Sequence, residues 1–173
     1  CGVEPPDVKP GRQPYLHAGG SHSQEPAAAS AAPLLGVKPG RRVLDLCAAP
    51  GGKSSQLAAA LQGQGLLVSN EYVAARAESL KSNLERMGVS NAVVLNETPA
   101  RIAPALLAFF DRVLVDAPCP GEGMLRQEPA PLAPHCEALA MQCPELGADL
   151  LDRAAAALAP RAALVPSTPP FPP

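Results

Sequence analysis

The chain has 173 residues, enough for one domain with its own core, and 47% of them are hydrophobic, which excludes a compositionally disordered chain. Charged residues make up only 17% and the formal net charge is −2, so there is no basic footprint for a polyanion; the 14 Lys and Arg are scattered, with one loose group at Lys38, Arg41 and Arg42. Five irregularly spaced cysteines (Cys1, Cys47, Cys119, Cys136, Cys143) with no CxxC pair, and three isolated histidines, argue against a disulfide framework and a zinc site.

Residues 1 to 22 are rich in Pro, Gly and polar side chains and are expected to be an irregular lead-in, leaving residues 23–173 as the domain. Gln24 to Leu35 is Ala-rich with Pro26 near its start, which predicts a helix, and Gly36 to Gly40 a loop. Arg42 to Cys47 then reads as a buried strand, Ala49 to Lys53 as a tight loop and Ser54 to Leu61 as a helix. Leu66 to Glu71 is a second strand. Val73, Ala77, Leu80, Leu84 and Met87 recur at helical spacing, with Gly88 closing that helix. Ala92 to Leu95 is a third strand, Pro99 to Phe109 a helix and Arg112 to Asp116 a fourth strand. A long polar loop leads to a helix near Pro144 to Leu158, with Leu146, Leu150, Ala154 and Leu158 on one side, and Ala162 to Val165 is a fifth strand. Pro166 to Pro173 carries too many prolines to continue as a central strand.

Strands alternating with amphipathic helices predict an α/β fold with a mostly parallel sheet covered on both faces, in which ligands bind at the carboxyl ends of the strands. The unusual motifs fall there. Cys47 to Ser54 opens a helix with adjacent glycines, Gly51 and Gly52. A phosphate loop of the form GxxxxGK[ST] would need glycine where Cys47 stands, and GxGxxG is absent. The helix N-terminus can receive the carboxylate of a methionine-derived cofactor, and a plain strand-to-helix turn fits the same residues. Glu71 ends the second strand, where an acid can accept hydrogen bonds from ribose hydroxyls or simply cap the next helix in solvent. Glu97, after the third strand, can border an adenine, as can Asn96 or Thr98. Asp116-Ala117-Pro118-Cys119-Pro120-Gly121-Glu122-Gly123 follows the fourth strand. Cytosine C5 is a poor nucleophile, and a thiolate adding to C6 makes it enamine-like. A cysteine beside an acid suits that chemistry, the acid steadying the pyrimidine edge. A buried structural cysteine is the alternative, against which the prolines and glycines of this loop weigh.

Asp45-Leu46-Cys47-Ala48-Ala49-Pro50-Gly51-Gly52-Lys53, with Asp116-Ala117-Pro118-Cys119 and Gly121-Glu122-Gly123-Met124, resembles the NOL1/NOP2/Sun family of RNA cytosine-C5 methyltransferases, most closely its bacterial 16S ribosomal RNA members. The resemblance runs from Gln24 to Phe171. It implies a Rossmann-like S-adenosylmethionine-dependent methyltransferase fold, with Cys47, Ala48, Ala49, Pro50, Gly51, Gly52, Lys53, Glu71 and Asp116 at the cofactor or substrate; Glu97 joins the cofactor set on its place after the third strand, and the chemistry of their loop makes Asp116 and Cys119 the catalytic candidates. It also implies an RNA partner, ribosomal RNA. No apolar run is long enough to span a bilayer and no signal peptide precedes the domain, so no membrane is expected, the scattered Cys and His predict no metal, and a reducing cytoplasm is the expected setting.

The departures are specific. The family ends its fifth strand with Ser-Thr-Cys-Thr-Phe, whose cysteine is the nucleophile, and this chain has Ser167-Thr168-Pro169-Pro170-Phe171. The family's Pro-Gly-Gly before that strand is Pro160-Arg161-Ala162 here. The cysteine matching Cys119 aids product release in the family, while a comparable Pro-Cys cysteine is the nucleophile in DNA cytosine methyltransferases. The chain starts at Cys1 rather than Met and stops before the last strands of the fold, so a C-terminally truncated fragment is expected. Two functions are compatible with these residues: RNA methylation with Cys119 as the thiol, or a catalytically silent cofactor- or RNA-binding remnant.

Overall fold

The structure is a computed structural model that describes residues 30–116 and 148–167. Within them the chain runs α1 (Ala31–Leu34), β1 (Arg42–Asp45), α2 (Gly52–Leu61), β2 (Leu66–Asn70), α3 (Ala74–Arg86), β3 (Ala92–Leu95), α4 (Pro99–Ala105), β4 (Phe110–Asp116), α5 (residues 148–157) and β5 (Leu158–Ser167). The five strands form one parallel sheet in the order β3-β2-β1-β4-β5. The order reverses between β1 and β4, and in sheets of this kind the crevice outside the carboxyl ends of the strands at such a switch point is where ligands bind.

Alternation along the strands sorts the core onto two faces. Val43, Leu67 and Leu114 join Ala31, Leu35, Leu57 and Leu61, which seats α1 and α2 on one face. Leu44, Val68, Val113 and Val115 face the other way, against Ile102, Ala154 and Ala157 of α4 and α5. Leu80 and Leu84 of α3 pack with Ala48, and Val89 and Ala92 link that cluster to the first face. The apolar runs of β1, β2 and β4 thus bury both sides, as a parallel sheet demands.

Most predicted elements lie where the pattern put them, and the differences have local causes. α3 buries Ala77, Leu80 and Leu84, but Val73 is extended (φ −85°, ψ 115°), precedes the helix and is 43% exposed. Gly88 does close α3: the N–H of Gly88 donates to Glu85 and that of Val89 to Leu84, with Gly88 left-handed at φ 68°. α4 stops at Ala105 instead of Phe109, because Pro104 removes a helical donor and the N–H groups of Ala108 and Phe109 turn to the carbonyls of Ala156 and Ala157. Leu158 leaves α5 and starts β5. Phe110 pairs with Leu158 and Arg112 with Ala163, so the residues between them bulge around Pro160 and the left-handed Arg161 (φ 64°). Pairing continues through Pro166 and Ser167, beyond the expected end at Val165; β5 is the edge of the described sheet, where a missing donor is tolerated. The helix from Gln24 and the loop carrying Cys119, like Pro169, fall wholly or mainly outside the described residues.

The start of the sheet is held at Asp111, which accepts from the backbone N–H of Arg42 at 2.8 Å and pairs with the guanidinium groups of Arg41 and Arg42. Arg42 also lies 4.7 Å over the ring of Phe109. The loose basic group foreseen in the sequence is therefore partly neutralised, at the strand ends opposite the crevice. Gly65 sets the spacing between the chain entering β1 and that entering β2. It adopts φ +91°, and a Cβ there would sit 2.3 Å from the Arg41 carbonyl oxygen, the same oxygen that accepts from Leu66 N–H. Gly65→Ala is expected to lower stability by about 1–3 kcal/mol, through left-handed strain and this clash. Urea unfolding with an unchanged m-value is the check.

Candidate functional site

The site grows from three strand ends. β1 ends at Asp45, and the chain turns through Leu46 and Cys47 into the loop that opens α2. Leu46 N–H donates to the Leu114 carbonyl and Ala48 N–H to that of Asn70, so the loop continues the sheet's bonding before leaving it. Gly51 is the N-cap of α2 with φ 107°, a conformation suited to glycine, and its N–H donates to Ala48. Ser55 N–H makes the first i→i−4 bond, to Gly51. The N–H groups of Gly52, Lys53 and Ser54 thus open the helix with no intrahelical acceptor, which makes this end a seat for a carboxylate.

Glu71 stands just past β2. It is only 4% exposed, which excludes a solvated cap. Its Oε1 accepts from Val73 N–H at 3.0 Å and lies 3.7 Å from Arg76 Nη1. Among the described residues nothing engages Oε2, so one carboxylate oxygen is left to accept. Asp116 ends β4 half-buried, and Lys53 Nζ donates to it at 2.5 Å across the crevice. The loop after β1, Glu71 and Asp116 are therefore gathered at one edge. Glu97 is more peripheral: its carboxylate pairs with Arg101 at 3.0 Å, and Asn70 holds its backbone. Asn96, weighed beside it, donates to the carbonyls of Glu71 and Tyr72 and so fixes the chain around the acid. Cys119 is outside the described residues.

Cys47 is half-buried, and burial, reinforced by the charges of Asp45, Glu71 and Asp116, pushes its thiol up to about 12 despite the nearby Arg76. It stays protonated at neutral pH and supplies no thiolate.

Two buried polar side chains at this edge, Asn70 and Asp45, escape the sequence pattern. Asn70, 1% exposed, donates to the carbonyls of Leu46 and Glu97 and accepts from Glu97 N–H, tying three strand ends together. Asp45 is fully buried; its Oδ2 accepts from Ser54 Oγ at 2.7 Å, Ser54 Oγ lies 2.9 Å from Ser69 Oγ, and Asp45 Oδ1 has no partner. Burial pushes its pKa up to about 7, with Asp116 and Glu71 adding to the rise and the Ser54 hydrogen bond and Lys53 opposing it. An acid within an apolar strand was the available signal. Among the described residues no group of three or more His, Cys, Asp or Glu could hold a metal, and no helix is long and apolar enough to cross a membrane.

The raised pKa has a defined sign. Between about 4 and about 7 the unfolded chain releases the Asp45 proton while the folded chain keeps it, so this residue makes folding less favourable as pH rises through that window. Asp45→Asn should therefore gain stability relative to the wild type between pH 4 and pH 7, with the difference levelling above that. Urea unfolding of both proteins across this range is the test.

Comparison with known proteins gives the chain its place. The protein-family model described as 16S rRNA methyltransferase RsmB/F matches residues 32–171. Ribosomal RNA small subunit methyltransferase F of Shewanella amazonensis is 39% identical over 169 residues, covering 95% of this chain and 36% of that protein. The protein of the same name from Vibrio parahaemolyticus is 41% identical over 126 residues, covering 73% of this chain and 26% of its own length. The chain thus spans about a third or less of these relatives. Among solved structures, a methyltransferase homolog from Pyrococcus horikoshii is 29% identical with a TM-score of 0.78, covering 94% of this chain and 50% of that one. NSun6 from the same organism, determined with SFG, is 25% identical with a TM-score of 0.79, covering 93% and 41%. The motif after β1, the parallel sheet that presents it and the match over residues 32–171 agree: the chain belongs to the RsmB/F family of 16S rRNA methyltransferases.

Proposed function

We propose that residues 23–173 are the core of an S-adenosylmethionine-dependent RNA cytosine-C5 methyltransferase acting on ribosomal RNA in the cytoplasm, after the lead-in of residues 1–22. The observation that carries this is the pairing of the helix-opening loop at Gly51–Lys53 with the buried acid Glu71, at the carboxyl ends of adjacent strands. The donors and acceptors fit the cofactor: unpaired N–H groups at one end for an amino-acid carboxylate, and a free carboxylate oxygen at the other for a ribose diol. NSun6 was determined with SFG, an S-adenosylmethionine analogue, on the same fold.

When bound, the cofactor supplies an electrophilic methyl group on a sulfonium. The chain's own residues do the rest. Cys47 to Lys53 and Glu71 hold the two ends, with Glu97 nearer the rim. Asp116 lies at the β1/β4 crevice, where its carboxylate can steady a pyrimidine edge, and Lys53 holds that carboxylate in place. Covalent addition at C6 needs a thiol. Pro169 stands where the family's nucleophile would be, and Cys47 is kept protonated, so the reaction rests on Cys119 in the Asp116 loop.

Calorimetric titration of S-adenosylhomocysteine should show binding to the wild type. Glu71→Ala should weaken it by about 1–3 kcal/mol through loss of a charged acceptor. Gly51→Val should weaken it too, because a side chain at φ 107° is strained and its Cβ would meet Leu80 at 3.1 Å. No heat from the folded wild type would overturn the cofactor assignment.

Incubation of unmethylated ribosomal RNA with labelled cofactor tests the chemistry. Label transfer by the wild type that Cys119→Ala abolishes is the expected result. Transfer by Pro169→Cys alone would mean that Cys119 does not act and that the chain is a silent cofactor binder.

A further inference from the structure

α3 turns one stripe of its surface toward the loop that opens α2. Arg76, Leu80 and Asn83 are spaced i, i+4, i+7 and so share a face. Arg76 Nη2 donates to the Ala49 carbonyl at 3.1 Å, and Asn83 Nδ2 to the Pro50 carbonyl at 2.9 Å. Between them Leu80 Cδ1 lies close enough to Gly51 that an added Cβ would sit 3.1 Å from it. Two consecutive loop carbonyls are thus held by side chains from a helix that is remote in sequence.

Arg76 does something its neighbours do not. Its second terminal nitrogen, Nη1, lies 3.7 Å from Glu71 Oε1. One guanidinium therefore spans the loop after β1 and the acid after β2, using the planar fork that distinguishes arginine from lysine.

We propose that Arg76 is a positioning residue for cofactor binding, whose guanidinium couples the loop after β1 to Glu71. The proposal rests on the cofactor assignment made above. A cofactor with an amino-acid end and a ribose end has a fixed length, so its affinity depends on the separation of the two groups that receive it. The loop and the acid leave different strands, and the Ala48 N–H bond to the Asn70 carbonyl joins their backbones one residue before the acid but leaves the Glu71 side chain to be placed. Arg76 sets the distance between them while leaving Glu71 Oε2 free to accept. Its side chain is half exposed, so its contribution to folding is small, and its effect falls on the site.

The test is calorimetric titration of S-adenosylhomocysteine, with thermal unfolding of every variant alongside. Arg76→Ala should weaken binding about tenfold, the scale of a charged hydrogen bond, while its melting midpoint stays close to the wild type. Arg76→Lys, which keeps the charge but cannot fork, should recover only part of the loss. Arg76→Gln retains most of the stem and is read the same way should the alanine variant fold poorly. The coupling itself is read from Asn83→Ala and Glu71→Gln: their effects should be non-additive in the wild type and additive once Arg76 is replaced. Wild-type affinity in Arg76→Gln, beside a loss in Glu71→Gln, would overturn the positioning role and leave the cofactor assignment standing. A wild type that binds no S-adenosylhomocysteine would overturn both.

Discussion

Where strands of a parallel sheet stop, their last amide and carbonyl groups lose the ladder that satisfied them, and at a buried end no water replaces it. Asn70, the last residue of β2, meets that need for the two strands beside it. Its amide donates to the carbonyls of Leu46 and Glu97, and its Oδ1 accepts from the Glu97 N–H. Each buried group left unmet would cost about 1–3 kcal/mol, so these bonds fix how β1, β2 and β3 finish relative to one another. The loop after β1, the acid after β2 and the turn after β3 inherit their positions from that arrangement.

The remaining polar contacts extend the same frame toward β4. Lys53, in the first turn of α2, reaches Asp116 and joins α2 to β4 where the strand order reverses. Ser54, its neighbour, turns into the sheet and bonds Asp45 and Ser69. Successive residues of one helical turn thus serve the crevice and the core.

The strands were legible in the sequence because short Val- and Leu-rich runs buried on both faces have few alternatives, and the Cys47–Lys53 loop because its glycines and proline interrupt that pattern. Glu71 was legible as an acid at a strand end, though not its burial. The errors came where local rules were overruled. β5 runs on through Pro166 because an edge strand tolerates a missing donor, and α4 ends early because α5 offers carbonyls to Ala108 and Phe109. Asn70, Arg76 and Asn83 were not legible at all. Each acts on a backbone carbonyl of a distant segment, and carbonyls carry no signature in the sequence; only the fold brings donor and acceptor together.

The buried hydroxyls beside Asp45 carry one further consequence. A serine has one hydrogen to give. With Asp45 ionised, Ser54 gives its hydrogen to the carboxylate, and Ser69 must then be the donor to Ser54. With Asp45 neutral, the acid proton can point at Ser54, which in turn can point at Ser69, and the whole run reverses its polarity. Burial places this carboxyl near pH 7, so both orientations lie within reach of neutral conditions. A single proton at the end of the first strand thereby redirects the hydrogen bonds of a helix and of a second strand without displacing a heavy atom.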